Sequence, residues 1–211
     1  MAFYSPTESA FTRHYREEVA MVLSTIDCVL NRQSAIYAST ELTSGSLVYG
    51  LLREHKLKTV AQLKERFGAD WYAEHLWNVN VGNACAFAEA IRTGLGRGEV
   101  ITPAPFTAPG WTQHEYLSFW ETLIRTRIHG VWLNDAWQFS NGCTFEFAVA
   151  QDEGIPTFDA RGGRLTLREG VALIDAAIAS LEQDEFDTTK LRENRDRLRA
   201  LPRPVETVPA S

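Results

Sequence analysis

Apolar residues recur at two different spacings along this chain, and these spacings predict helices that alternate with buried strands. Between residues 7 and 32, large apolar residues follow each other at intervals of three to four positions, which predicts an amphipathic helix. Short continuous apolar runs predict buried strands at 34–38, 99–102, 130–133 and 155–158. Further helices are predicted at 47–52, in two pieces within 59–93 that stop at Gly94, and at 112–127, 141–153 and 166–200.

Alternating strands and helices predict an α/β fold, a Rossmann-like or flavodoxin-like parallel sheet flanked by helices, with extra N- and C-terminal helices. Ligands of such sheets bind at the carboxyl ends of the strands. Two segments that are rich in small and polar residues, 39–46 and 134–146, directly follow the ends of predicted strands. The expected organisation is an N-terminal helix at 1–33, an α/β domain at 34–160, C-terminal helices at 161–201 and a disordered tail at 202–211.

Composition and charge narrow the class of ligand. The 211 residues carry a net charge of -6, which argues against binding of duplex nucleic acid but allows a small anion. No apolar run approaches the roughly 20 residues of a membrane span. The first residues are too charged for a signal peptide. Three widely spaced cysteines indicate neither a disulfide framework nor a zinc site, so we expect a cytoplasmic protein without a metal or cofactor.

The segment 132–146 carries the richest candidate chemistry. Ser140 is predicted to cap a helix whose first N–H groups are free to meet an anion. Glu146 lies about one and a half turns further into that helix, among apolar residues. The local pattern allows two interpretations of Glu146, a carboxylate on a solvated stripe, where most Glu residues lie, or one that is buried for a chemical purpose.

This segment resembles the signature of the nucleoside 2-deoxyribosyltransferase-like superfamily. In that signature a strand and a loop are followed by a Ser or Asp, by a Gly two residues on, and by a catalytic Glu six residues on. Ser140, Gly142 and Glu146 match these positions. Together with Trp137 they are similar to an uncharacterised, often phage-borne branch, and a weaker similarity covers residues 34–160.

The resemblance implies a covalent mechanism. Glu146 would attack the anomeric carbon of a nucleoside or nucleotide, the base would leave, and water or a second base would take the sugar. The resemblance also implies a second carboxylate on the preceding helix, which places Glu121 as an acid or orienting group. A solvated helix face explains Glu121 equally, and His114, Glu115 and Tyr116 are alternative candidates.

Position 140 bears on the substrate class. Superfamily members with Ser there hydrolyse nucleoside 5′-monophosphates, whereas an Asp is typical of transferases that act on unphosphorylated nucleosides. A Ser hydroxyl at a helix N-terminus favours a phosphate. The loop that contains Ser39, Ser44 and Gly45 resembles the phosphate loop of those hydrolases, although a simple turn has the same composition.

Four other residues are candidates for contact with the substrate. Asn134 and Asp135 lie in the loop before the Ser140 helix. Trp137 and Tyr37 have rings that can stack on a base, although Trp137 can equally pack the loop and Tyr37 can belong to the core.

The sequence thus predicts an N-glycosidase that cleaves a nucleoside 5′-monophosphate, possibly a modified one. A nucleoside 2-deoxyribosyltransferase, an NAD hydrolase and a non-catalytic nucleotide-binding or sensor protein stay open. The expected partner is a small nucleotide or nucleoside, with no duplex nucleic acid and no membrane. Related folds complete their pocket from a neighbouring subunit, which implies a homo-oligomer.

Overall fold

A four-stranded parallel sheet forms the centre of the computed structural model, which describes residues 10–31, 33–95 and 98–202. The strands are Ala35–Ser39 (β1), Val100–Ile101 (β2), Ile128–Leu133 (β3) and Thr157–Phe158 (β4). All neighbouring pairs are parallel, and the order across the sheet is β2-β1-β3-β4. This arrangement confirms the predicted α/β class, and its strand order is that of flavodoxin-like folds.

Helices connect and flank these strands. The α-helices are Ala10–Val29 (α1), Ser46–His55 (α2), Val60–Phe67 (α3), Ala69–Tyr72 (α4), Asn78–Leu95 (α5), Gln113–Arg127 (α6), Asn141–Asp152 (α7), Leu167–Gln183 (α8) and Thr189–Ala200 (α9). A π-helical turn, Ala73–Trp77, joins α4 to α5, and a 3-10 turn, Trp137–Phe139, leads into α7. None of the described helices is long and apolar enough to cross a bilayer.

The alternation of side chains along β1 divides the core into two parts. Ile36 and Ala38 lie on the face that packs against Ala88 and Ile91 of α5. Tyr37 lies on the opposite face, in the larger core that α6 and α7 cover. One face of β1 is therefore apolar throughout, whereas the other carries hydroxyl groups beneath α7.

The predicted starts of two helices are confirmed. The Thr112 side chain accepts a hydrogen bond from the Glu115 N–H at the start of α6, and Ser140 accepts one from the Cys143 N–H at the start of α7. Each of these residues uses its hydroxyl group to satisfy an N–H of the first helical turn. Because this contact joins residues only three positions apart, the sequence displays it directly.

The boundaries of other elements differ from the prediction. The chain stays helical through Gly94 to Leu95, because a solvent-exposed glycine in the last turn costs a helix only about 1 kcal/mol. The π-helical turn at Ala73–Trp77 was not predicted, since it lacks a periodicity of its own. β2 and β4 are shorter than predicted, and β4 begins directly after Pro156, which has no N–H to donate to the ladder. The predicted start of the first helix at residues 7–9 and most of the tail, 203–211, lie outside the described residues.

The C-terminal helices pack closely on α7. Gly170 of α8 faces the buried ring of Phe147, and a Cβ atom at residue 170 would lie 2.2 Å from Phe147 Cζ. Such a distance is impossible without a shift, and Phe147 has no exposed space into which to move. This contact places the start of α8 directly against the ring of Phe147.

We expect Gly170→Ala to destabilise the fold by about 1–3 kcal/mol, because it overpacks a filled core. Gly50→Ala is the matched control. Gly50 is exposed in α2, and an added Cβ there meets no atom within 4 Å. This variant should gain up to about 1 kcal/mol from helix propensity. Urea unfolding compares the two variants with the wild type, and equal stabilities of both would contradict the described α7–α8 packing.

Candidate functional site

A cavity of about 640 Å³ lies at the carboxyl edge of the sheet. Its walls come from the loop after β1, the π-helical turn, the segment after β2, and helices α6, α7 and α9. β1 and β3 are the neighbours at which the strand order reverses, which is where ligands bind in open α/β sheets. The volume falls within the range of roughly 300–1,000 Å³ of small-molecule sites.

Glu146 forms part of the cavity wall and is held by two hydroxyl groups of β1. The Tyr37 hydroxyl donates to Oε1 at 2.7 Å, and the Ser39 hydroxyl donates to Oε2 at 2.6 Å. Residues 37 and 39 are two positions apart on a strand and therefore point to the same face. The Glu146 residue is only 5% exposed, so the interpretation as a solvated surface carboxylate does not apply.

The surroundings of Glu146 shift its pKa toward neutral pH. Burial raises the pKa of Glu146 to about 7, although the hydrogen bonds from Ser39 and Tyr37 act in the opposite direction. Burial, together with the nearby charge of Glu146, raises the pKa of Tyr37 well above its usual value. Tyr37 therefore stays a proton donor while Glu146 changes its charge.

The first turn of α7 presents polar groups to the same cavity. The Ser44 hydroxyl accepts a hydrogen bond from the Asn141 N–H at 3.0 Å, and its oxygen lies 3.5 Å from that of Ser140. Among the described residues the Gly142 N–H has no hydrogen-bond partner. A helix N-terminus with a free N–H and two hydroxyl groups attracts an anion.

The wall of the same cavity also contains an unpaired polar group. Thr40 lines the cavity and is only 7% exposed, and its buried hydroxyl oxygen has no hydrogen-bond partner within the described part of the chain. Buried hydroxyl groups are nearly always hydrogen-bonded, so an unpaired one next to a cavity indicates a missing partner.

The loop 39–46 differs from the expected phosphate loop. The Glu41 carboxylate accepts the Ser46 N–H at 2.9 and 3.0 Å and thus occupies the N-terminus of α2. Gly45 lies against the same carboxylate, since an added Cβ would be 2.3 Å from Glu41 Cδ. The loop therefore neutralises one helix N-terminus internally, and only Thr40, Leu42, Thr43 and Ser44 of the loop line the cavity.

Aromatic side chains form much of the remaining wall. They are Trp77, Phe106, Tyr116, Trp120 and Phe145. The two rings expected to stack on a base lie elsewhere, because Trp137 packs against Phe147 at 4.8 Å and Tyr37 is completely buried. The sequence left both interpretations of these rings open, because an aromatic side chain can serve a core or a pocket.

The other predicted residues do not line the cavity. Glu121 pairs with Arg125 at 3.0 Å and with Arg197 at 3.3 Å on the outer side of α6. Asp135 is exposed, and Asn134 has a buried Oδ1 atom without a partner among the described residues. Of the alternatives to Glu121, Tyr116 alone lines the cavity, whereas His114 is exposed and Glu115 caps α6.

Sequence reasoning missed the contribution of α9. Four of its residues line the cavity, Lys190, Glu193, Asn194 and Arg197. Their spacing places them on one helix face, but a charged face is normally a solvated one. The Asn194 amide donates to the Asn141 carbonyl at 3.1 Å and to Thr144 Oγ1 at 2.9 Å, which fixes α9 against the first turn of α7.

The raised pKa of Glu146 predicts a pH-dependent stability. The folded state keeps the Glu146 proton up to about pH 7, whereas the unfolded chain loses it near 4.5. Stability is therefore lost as the pH rises through this window, by up to about 3 kcal/mol. Relative to Glu146→Gln, wild-type stability should fall between about pH 5 and about pH 8 when it is measured by urea unfolding. Glu65→Gln, on the exposed side of α3, controls for loss of a surface charge. A wild-type curve parallel to that of Glu146→Gln would contradict the burial of an ionisable Glu146.

No protein-family model, curated protein or solved structure matches this chain. Its function is therefore inferred from the geometry of its own cavity.

Proposed function

We propose that this protein is an N-glycosidase that cleaves a nucleoside 5′-monophosphate through a covalent intermediate on Glu146. The observation that carries the proposal is the buried Glu146 carboxylate, which lines the cavity and is held at both oxygens by Tyr37 and Ser39. The residues Ser140, Gly142 and Glu146, which resemble the deoxyribosyltransferase signature, also converge on this cavity.

The first chemical step forms one bond and breaks another. A Glu146 oxygen attacks the anomeric carbon of the sugar, the bond from that carbon to the base nitrogen breaks, and its electron pair leaves with the base, which takes up a proton. Water then attacks the same carbon, the ester to Glu146 breaks, and the carboxylate is regenerated with release of a proton. The products are the free base and the sugar phosphate.

Tyr37 and Ser39 position the nucleophile. Each donates one hydrogen bond to one carboxylate oxygen, which leaves lone pairs on both oxygens for attack. They also favour the charged form in a place where burial opposes it. Since Glu146 has a pKa of about 7, a substantial fraction is ionised at neutral pH, and attack requires this fraction.

The rest of the cavity suits a nucleotide. The first turn of α7, with the Gly142 N–H and the hydroxyl groups of Ser44 and Ser140, supports placement of the phosphate there. The aromatic wall supports placement of the planar base, on which rings such as Trp77 and Trp120 can stack.

Base release tests the proposal directly. Purified protein is incubated with ribo- and deoxyribonucleoside monophosphates, free nucleosides and NAD, and the products are separated by liquid chromatography. We expect release from a monophosphate and a loss of at least about 10³-fold in kcat in Glu146→Gln, because the nucleophile is gone.

Two controls sharpen this experiment. Glu65→Gln changes a surface carboxylate and should act as the wild type. Glu121→Gln tests the acid role implied by the resemblance, and a loss equal to that of Glu146→Gln would place Glu121 in the reaction. Release only with a second base present would favour a transferase, and release only from NAD would favour an NAD hydrolase. If no substrate is cleaved, the result would favour the alternative of a nucleotide-binding or sensor protein without catalytic activity.

Gly142→Ala separates ligand binding from folding. An added Cβ would contact only Ser140 Oγ, at 3.8 Å, so the fold has room for it. The methyl group would nevertheless enter the proposed phosphate position. We expect unchanged or slightly higher stability and a KM for the monophosphate raised about tenfold or more, the cost of roughly one lost contact to a charged group. An unchanged KM would contradict the proposed placement of the phosphate at the N-terminus of α7.

A further inference from the structure

The cavity carries an unusual distribution of charge. Of the residues that the structure describes, two with cationic side chains line it, Lys190 and Arg197, and both belong to α9. The carboxylates among its lining residues are Glu146 and Glu193. A phosphate placed in the same space as Glu146 is repelled unless a cation compensates its charge. The hydroxyl and N–H groups of Ser44, Ser140 and Gly142 carry no formal charge, so among the described lining residues the compensating charge is on α9.

The orientation of α9 places Lys190 near the start of α7. Asn194 contacts Asn141 and Thr144 in the first turn of α7, whereas Arg197 reaches Asp152 at the end of α7, at 3.4 Å. The two helices therefore run side by side in the same direction. Lys190 precedes Asn194 by about one turn, roughly 6 Å along the axis, and so lies toward the N-terminal end of α7.

The two cations differ in how firmly they are held. Arg197 contacts both Glu121 and Asp152 and lies over the ring of Phe145 at 5.6 Å, so its charge is already balanced. Within the described part of the chain, the Lys190 ammonium forms an ion pair with Glu193, at 2.7 Å, and the two side chains are 67% and 55% exposed. Its charge also acts on the carboxylate of Asp187, which precedes α9. Exposed pairs of this kind contribute little free energy, so Lys190 can leave Glu193 for a stronger anion at small cost.

We infer that Lys190 is a ligand-binding residue that supplies the positive charge for the phosphate at the start of α7, which rests on the proposed nucleotide substrate. Lys190 thereby selects phosphorylated over unphosphorylated sugars. Its flexible stem allows the ammonium to reach the cavity from an exposed helix position. Glu193 holds the lysine next to the cavity when no phosphate is bound.

The inference is tested by binding, without turnover. Ribose 5-phosphate and 2-deoxyribose 5-phosphate, which carry no base to release, are titrated into the wild-type protein, with free ribose as the unphosphorylated probe. The fluorescence of Trp77 and Trp120, which line the cavity, reports binding. For whichever sugar phosphate binds more tightly, Lys190→Gln should raise the Kd about tenfold, which is the effect of one lost charge-assisted contact. The signal with free ribose should stay unchanged.

Three further measurements separate charge from structure. Lys190→Arg should restore most of the affinity, and Arg168→Gln, which removes an exposed cation of α8, should bind as the parent protein does. Added salt should weaken binding less in Lys190→Gln than in the parent, because the screened charge is gone. An unchanged Kd in Lys190→Gln overturns the inference even if base release is observed, and so does the absence of sugar phosphate binding to the parent. Lys190-dependent binding without base release supports the inference and refutes the glycosidase.

Discussion

The contact of the Glu146 carboxylate with Tyr37 and Ser39 ties the central helix of this fold to its central strand. A buried carboxylate without partners is costly in free energy, and no cation among the described residues offsets the loss of water around this one. Two hydroxyl donors at alternate positions of β1 satisfy one oxygen each. Because both donors come from one face of one strand, the rotation of α7 over the sheet is fixed, and so is the direction in which its first turn points.

Two helix N-termini lie at the carboxyl edge of the sheet, and they differ in their hydrogen-bond partners. The N-terminus of α2 holds the carboxylate of Glu41, a residue of its own preceding loop. The first turn of α7 keeps the Gly142 N–H free among the described residues, next to Ser44 and Ser140. The internal carboxylate already satisfies the N-terminus of α2, whereas the N-terminus of α7 keeps a free N–H. This difference supports the proposed placement of the phosphate at α7.

The C-terminal helices make the cavity complete. Gly170 lets α8 approach the ring of Phe147, and Asn194 joins α9 to the first turn of α7. Because of these contacts, the highly charged helix α9 forms one wall of the cavity. In the proposed enzyme, a cavity wall formed by α9, which follows β4 in the chain, allows ligand preference to change without any change in the strands or in the proposed nucleophile.

The sequence by itself determined the alternation of strands and helices, the caps at Thr112 and Ser140, and the convergence of segments 39–46 and 134–146 at one sheet edge. These features depend on local periodicity and on side chains that bond their own backbone neighbours, which a sequence displays directly. The tertiary structure alone decided that Glu146 is buried, that Trp137 belongs to the core, that Glu121 pairs with Arg197 and does not itself line the cavity, and that Lys190 borders the cavity. Each of these depends on contacts between residues far apart in the chain, and such contacts leave no periodic signal in the sequence.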